Sequence, residues 1–114
     1  MDKMTCYRQL IMRLLQDFAD LCNRGSLEAE AETVCIFDTE RDQYMVANVG
    51  WQSRHRLRGT PLYLRLRNGK IWIEEDWTEG GIANDLLAAA VPHEDIVLAF
   101  HSPEKRALTE FAVA

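Results

Sequence analysis

Glu74, Glu75, Asp76 and Glu79 crowd one short stretch of the chain, and paired carboxylates can share a proton or hold a divalent cation. They are the one group with the make-up of a metal site or a general acid. Alternation along a strand sends Glu74 and Asp76 to one face and Glu75 to the other, so the four do not converge, and they read as a solvated strand end. His55, His93 and His101 lie far apart, neither at the spacing of a helical metal pair nor beside a nucleophile, and read as surface or capping residues. Cys6, Cys22 and Cys35 are odd in number and widely spaced, which fits neither a disulfide framework nor a Cys-x-x-Cys zinc site. The expectation is reduced, buried thiols, with Cys6, near the start of the first helix, the one placed for a lowered pKa. No G-x-S-x-G, phosphate-binding or dinucleotide-binding motif occurs. Enzyme readings have little support, and no catalytic residue, metal site or cofactor is assigned.

The residues suited to binding are better organised. Arg54, Arg56 and Arg58 alternate with His55 and Leu57, so a strand would align the three arginines in a row that could contact phosphates. The plainer reading is an exposed edge strand kept soluble by charge. Against nucleic acid stand a net charge of -5 and a pI near 5.1, where a dedicated binder would have one above about 9. The charge is uneven. Residues 1–40 hold four basic and eight acidic side chains, residues 41–70 seven basic against Asp42 alone, and residues 71–114 two basic and nine acidic. An acidic C-terminal half ending on Phe111-Ala112-Val113-Ala114 joins an apolar anchor to a charged rim, as interfaces do. Phe111, Val113, Glu110 and Arg106 are therefore the candidate partner interface. In the alternative the tail folds back as a last strand, with Phe111 in the chain's own core.

These residues must be positioned by an α+β domain spanning residues 1–114. From Met4 to Cys22, apolar residues recur at three-and-four spacing, predicting an amphipathic helix ended near Gly25. A heptad seam through Met4, Ile11 and Phe18 is too short to demand a partner helix, so the helix is expected to pack on its own sheet. Strands are predicted over 32–37 and 43–51 around the polar turn 38–42, over 54–67 with a break near Gly59-Thr60-Pro61, and over 70–75. Asn68-Gly69 predicts a type I′ turn. Facing residues then sum to 137, which puts Leu62, Leu64, Leu66, Ile71 and Ile73 on the core face, against Leu14 and Phe18 of the helix. The other face has Arg65 over Trp72 as a cation–π pair and Tyr63 opposite Glu74. A helix over about 81–90 stops before Pro92, Ile96–Phe100 reads as a buried strand, and Ser102-Pro103-Glu104 starts a last helix. The architecture is an N-terminal helix on an antiparallel meander, then a helix, a short buried strand and a C-terminal tail. No window approaches a membrane-spanning length, and Met1–Cys6 has no signal-peptide pattern, so a cytoplasmic protein is expected.

Phe37-Asp38-Thr39-Glu40-Arg41-Asp42, leading through Tyr44 to Val49-Gly50-Trp51, resembles the first signature stretch of the XisI family, the controlling factors for excision of the fdxN element. A second stretch resembles it further: Gly69-Lys70-Ile71-Trp72-Ile73, Thr78-Glu79, Gly81-Ile82-Ala83, Val91-Pro92, Asp95-Ile96-Val97-Leu98, Phe100-His101, Pro103, Arg106 and the terminal Phe111–Ala114. Trp77 departs from it, standing where a smaller residue is expected, and the stretch from Arg24 to Glu30 is slightly longer than usual. The resemblance implies a non-enzymatic accessory factor in a DNA rearrangement, acting with an XisH-like companion that resembles restriction-endonuclease-fold nucleases. It carries over no catalytic residues. Direct DNA binding as a recombination directionality factor is the rival reading, and self-association stays open.

Overall fold

The computed structural model describes residues 2–25 and 30–114. Helix α1 (Lys3–Arg24) opens on Asp2, whose side chain accepts from the Thr5 amide and so satisfies a helix-end donor. It is followed by β1 (Ala31–Asp38), β2 (Gln43–Gln52), β3 (His55–Arg67), β4 (Lys70–Asp76), α2 (Ile82–Ala88), a 3-10 turn (His93–Asp95), β5 (Ile96–Leu98) and α3 (Pro103–Arg106), which starts with the Ser102 cap the sequence predicts. The strands form one sheet in the order β1-β2-β3-β4-β5. The first four pair antiparallel, whereas β5 lies parallel to β4, as a return through α2 allows. β5 ends at Leu98, so Phe100 lies outside the strand, 49% exposed. No helix among the described residues is long and apolar enough to cross a membrane.

Asn68 and Gly69 take positive φ values of 53° and 77°, as a type I′ turn requires, and the expected register holds from Arg67↔Lys70 to Leu64↔Ile73. A bulge between Tyr63 and Leu64 then shifts the pairing by one, placing Tyr63 opposite Glu75 instead of Glu74. The predicted break near Gly59-Thr60-Pro61 is a bulge within a continuous β3: from Leu62↔Val46 to Gly59↔Asn48, β3 runs three residues against two of β2.

Leu62, Leu64, Leu66, Ile71 and Ile73 are buried, together with Tyr44 and Val46 and with Ile82 and Leu86 of α2. The helical side of this core differs from expectation. The deeply buried line on α1 is Tyr7, Ile11, Leu15 and Ala19, and Leu14 and Phe18 flank it, partly buried. Successive steps of four residues wind slowly around a helix, so such a line stays in contact with a twisted sheet better than a straight seam does.

Two polar clusters fasten α1. Arg8 donates to both carboxylate oxygens of Asp42 at 2.6 and 3.1 Å, and the fully buried Tyr44 donates to the same group at 2.8 Å. Tyr7 donates to Asp95 at 2.5 Å, and Lys3 pairs with it at 2.6 Å. Burial pushes both tyrosine hydroxyls well above their ordinary pKa, and the neighbouring carboxylates reinforce the shift.

Candidate functional site

The carboxylate cluster is divided among separate duties. Glu74 pairs with Arg65 at 3.0 Å, and Glu75 accepts from the Trp77 indole at 2.7 Å. Asp76 holds the loop into α2, accepting from the Thr78 amide and hydroxyl and, at 2.7 Å, from the Ile82 amide. Among the described residues, no three His, Cys, Asp or Glu side chains lie close enough to share a metal ion. His93 contacts Glu110 at 3.3 Å and packs on the Phe111 ring, His101 packs on Phe100, and His55 is exposed at the start of β3. The cysteines correct the expectation of burial: Cys6 and Cys22 are exposed, because both sit off the narrow buried line of α1. Only Cys35 is partly buried, which pushes its thiol pKa up.

The arginine row is only partly a strand feature. Arg54 lies in the turn before β3, and residues 55–59 pair with β2 alone, because β4 faces only Leu62–Arg67. On the far side β1 pairs with β2 as far as Gly50, so only the tip, Trp51–Gln52 with His55–Arg56, is a two-stranded ribbon; there the exposed Trp51 lies under Arg56, at 5.6 Å, while Arg56 also donates to the Gly50 carbonyl. Arg54, Arg56 and Arg58 are all exposed. The Arg65–Trp72 stacking does not form, because Glu74 takes Arg65. Arg67 and Arg106 occupy the Trp72 ring instead, at 5.1 and 5.6 Å.

The C-terminal tail folds back. Ala112 donates to the Ile96 carbonyl and bridges to Val97, and Phe111 packs on the core, half-buried. Arg106 clamps this turn by donating to the carbonyls of His101, Val113 and Ala99. Lys70 bonds the carbonyl of Ala114. Phe111 and Arg106 thus serve the chain's own packing, while Glu110 and Val113 face outward.

A different pair of aromatic residues is offered to solvent. Trp77 is 79% exposed and Phe100 49%, and with Glu75 and Asp76 they line a shallow cavity of about 240 Å³, smaller than the roughly 300 Å³ at which ligand pockets begin. Parallel pairing of β4 and β5 brings the C-terminal ends of both strands together, and the aromatics follow them, Trp77 directly after β4 and Phe100 two residues after β5. Trp77 is held by its amide on the Pro61 carbonyl and by its indole on Glu75. Exposed aromatic anchors inside an acidic rim have the make-up of an interaction hot spot for a basic partner. The position of Trp77 in an acidic turn was legible in the sequence, but its meeting with Phe100 depends on the parallel pairing.

The fold defines a small α+β protein, a helix on one face of a five-stranded sheet, with Trp77 and Phe100 exposed at one sheet end. The chain belongs to the XisI family, whose model, described as XisI protein, matches residues 1–113. Two solved structures from Anabaena variabilis ATCC 29413 are similar. A XisI-like protein shares 34% identity over 96% of this chain and 98% of its own, with a TM-score of 0.88. The fdxN element excision controlling factor XisI shares 44% identity over 99% of this chain and 100% of its own, with a TM-score of 0.84. A comparison with curated proteins finds no match.

Proposed function

We propose that this protein is a non-enzymatic controlling factor of DNA-element excision of the fdxN type, and that it acts by binding an XisH-like, nuclease-like protein companion. The observation that supports this most directly is the Trp77–Phe100 pair, exposed beside Glu75 and Asp76 in the half of the chain that carries nine acidic and two basic residues. The aromatics supply desolvated contact area, and the acidic surround supplies orientation toward a basic surface such as a DNA-binding cleft. Glu110 and Val113 belong to the same half and stay exposed, where they can extend the contact.

The test is co-purification of the two full-length proteins, with and without target DNA, followed by titration of Trp77→Ala and Phe100→Ala. Hot-spot truncation should weaken the complex by about thirtyfold or more while the melting temperature stays within a few degrees of wild type. Unchanged affinity in both variants rules out this docking site, and failure of the wild-type pair to associate removes the companion from the proposal.

A second reading, direct DNA contact, draws on the Trp51–Arg56 ribbon, since the major groove admits a two-stranded ribbon. It places Arg54, Arg56 and Arg58 on phosphates. The net charge of -5 works against it.

A further inference from the structure

The buried side chains of α1 and α2 all lie on one face of the sheet. By alternation, Val34, Ile36, Met45, Ala47, Val49 and Tyr63 occupy the opposite face of β1–β3, where none of them belongs to the core and Ile36 is 52% exposed. The register sets Ile36 beside Met45 and Met45 beside Tyr63, making a continuous apolar stripe across three strands, with Val34 beside Ala47 in the next row. The far end of this face is covered at Trp72, where Arg67 and Arg106 lie over the ring.

We propose that the uncovered face is the interface of a homodimer, in which the stripe of one copy packs on the stripe of a second. Three observations select a second copy as the occupant. The first is charge. The chain is acidic, with a net charge of -5, so two copies repel unless they meet through a neutral surface. At one end of the stripe the bordering charges are matched within the chain, Arg65 with Glu74 and Asp38 with Arg41; at the other, Glu32 and Arg58 flank Val49 with opposite signs. A border with no net charge offers little to a strongly basic or acidic partner. The second is symmetry. A two-fold contact must be self-complementary, and an axis through Met45 lays Ile36 of one copy over Tyr63 of the other, apolar on apolar.

The third is area. The chain exposes 7288 Å², whereas a folded monomer of its mass is expected to expose about 6400 Å². The excess of roughly 900 Å² is close to the ~800 Å² that each partner contributes to a standard interface. The radius of gyration agrees: 14.9 Å against about 13 Å for a compact chain of this length. Pairing the face would remove an area of that size from water, and the large radius reflects the same flat, elongated shape, 43 × 34 × 25 Å.

Light scattering and sedimentation of the full chain over a range of concentrations give the first readout, and the expected mass is twice the 13.1 kDa of the chain. Ile36→Glu should shift it to the monomer, because a half-exposed residue accepts the charge in the monomer but not inside the stripe. Leu21→Glu, on an exposed apolar residue of α1, and Trp77→Ala should leave the dimer intact. A measurement without substitution guards against misfolding: peroxide oxidation of Met45 should slow as wild-type concentration rises. A monomer at all concentrations, a dimer that survives Ile36→Glu, or oxidation of Met45 independent of concentration overturns the proposal. So does a monomeric wild type whose Ile36→Glu variant loses only the companion, which would make this face the companion's. The mass and oxidation readouts use the protein alone, so they succeed or fail independently of the companion complex.

Discussion

Tyr7→Phe removes a single oxygen, and its effect follows from the contacts of Asp95. This carboxylate is 7% exposed, accepts a bond from Tyr7 at 2.5 Å and pairs with Lys3 at 2.6 Å. The Tyr7 bond joins the first turns of α1 to the turn that launches β5, across 88 positions of sequence. A hydrogen bond to a charged group contributes about 1.5 to 3 kcal/mol. The Lys3 side chain is more than half exposed, so its pairing is held to the surface range of about 0 to 1 kcal/mol. Tyr7→Phe should therefore cost about 1.5 to 3 kcal/mol at neutral pH. Asp95→Ala should cost more, about 2 to 4 kcal/mol, since it also leaves the Tyr7 hydroxyl without a partner. Because both variants remove the same bond, the double variant should fall short of their sum by at least about 1 kcal/mol.

Acid gives an independent reading of the same bond. Burial raises the Asp95 pKa, but the bonds from Lys3 and Tyr7 outweigh burial and hold it below the ordinary carboxylate value. A group lowered by folding stabilises fully above its unfolded pKa and loses that contribution as pH falls through its folded pKa. The gap between wild type and Tyr7→Phe should therefore narrow as pH drops below about 4. Urea unfolding at neutral and acid pH, with the slopes compared to check the two-state assumption, measures both effects. A loss below about 0.5 kcal/mol, strict additivity in the cycle, or a gap that widens in acid would refute the reasoning.

Leu64→Ala, at a fully buried position facing α1, should cost about 2 to 5 kcal/mol in denaturant unfolding, and a loss below 1 would contradict its place in the core. Gly50→Ala should cost at least about 2 kcal/mol in the same assay, because φ is +120° and a Cβ would sit 1.9 Å from the Glu30 carbonyl oxygen; a neutral result would show that the chain bends differently there. The isolated protein should bind duplex DNA with a Kd weaker than about 10 µM at physiological salt, measured by fluorescence anisotropy, and replacing Arg54, Arg56 and Arg58 together should leave companion binding unchanged. Tight DNA binding lost in the triple variant would favour the ribbon as the functional surface.

What the sequence determined by itself is local. The helix over Lys3–Arg24, the Asn68-Gly69 hairpin, the Ser102 cap and the alternation that buries Leu62, Leu64 and Leu66 each depend on a few neighbouring residues and on periods of 3.6 or 2, so they are legible without a partner strand. The family resemblance was legible for a related reason, since its motifs are short and ordered along the chain. The tertiary structure decided what depends on residues distant in sequence. It turned β5 parallel to β4 and so placed Phe100 beside Trp77, and it gave Arg65 to Glu74 and the Trp72 ring to Arg67 and Arg106. It also wound the buried line of α1 through Tyr7, Ile11, Leu15 and Ala19. A bulge of one residue, a crossover of one strand and the twist of the sheet each change which side chains meet while leaving the local patterns of hydrophobicity as they were. That is why the core face could be read from the sequence, and the meeting of Trp77 with Phe100 could not.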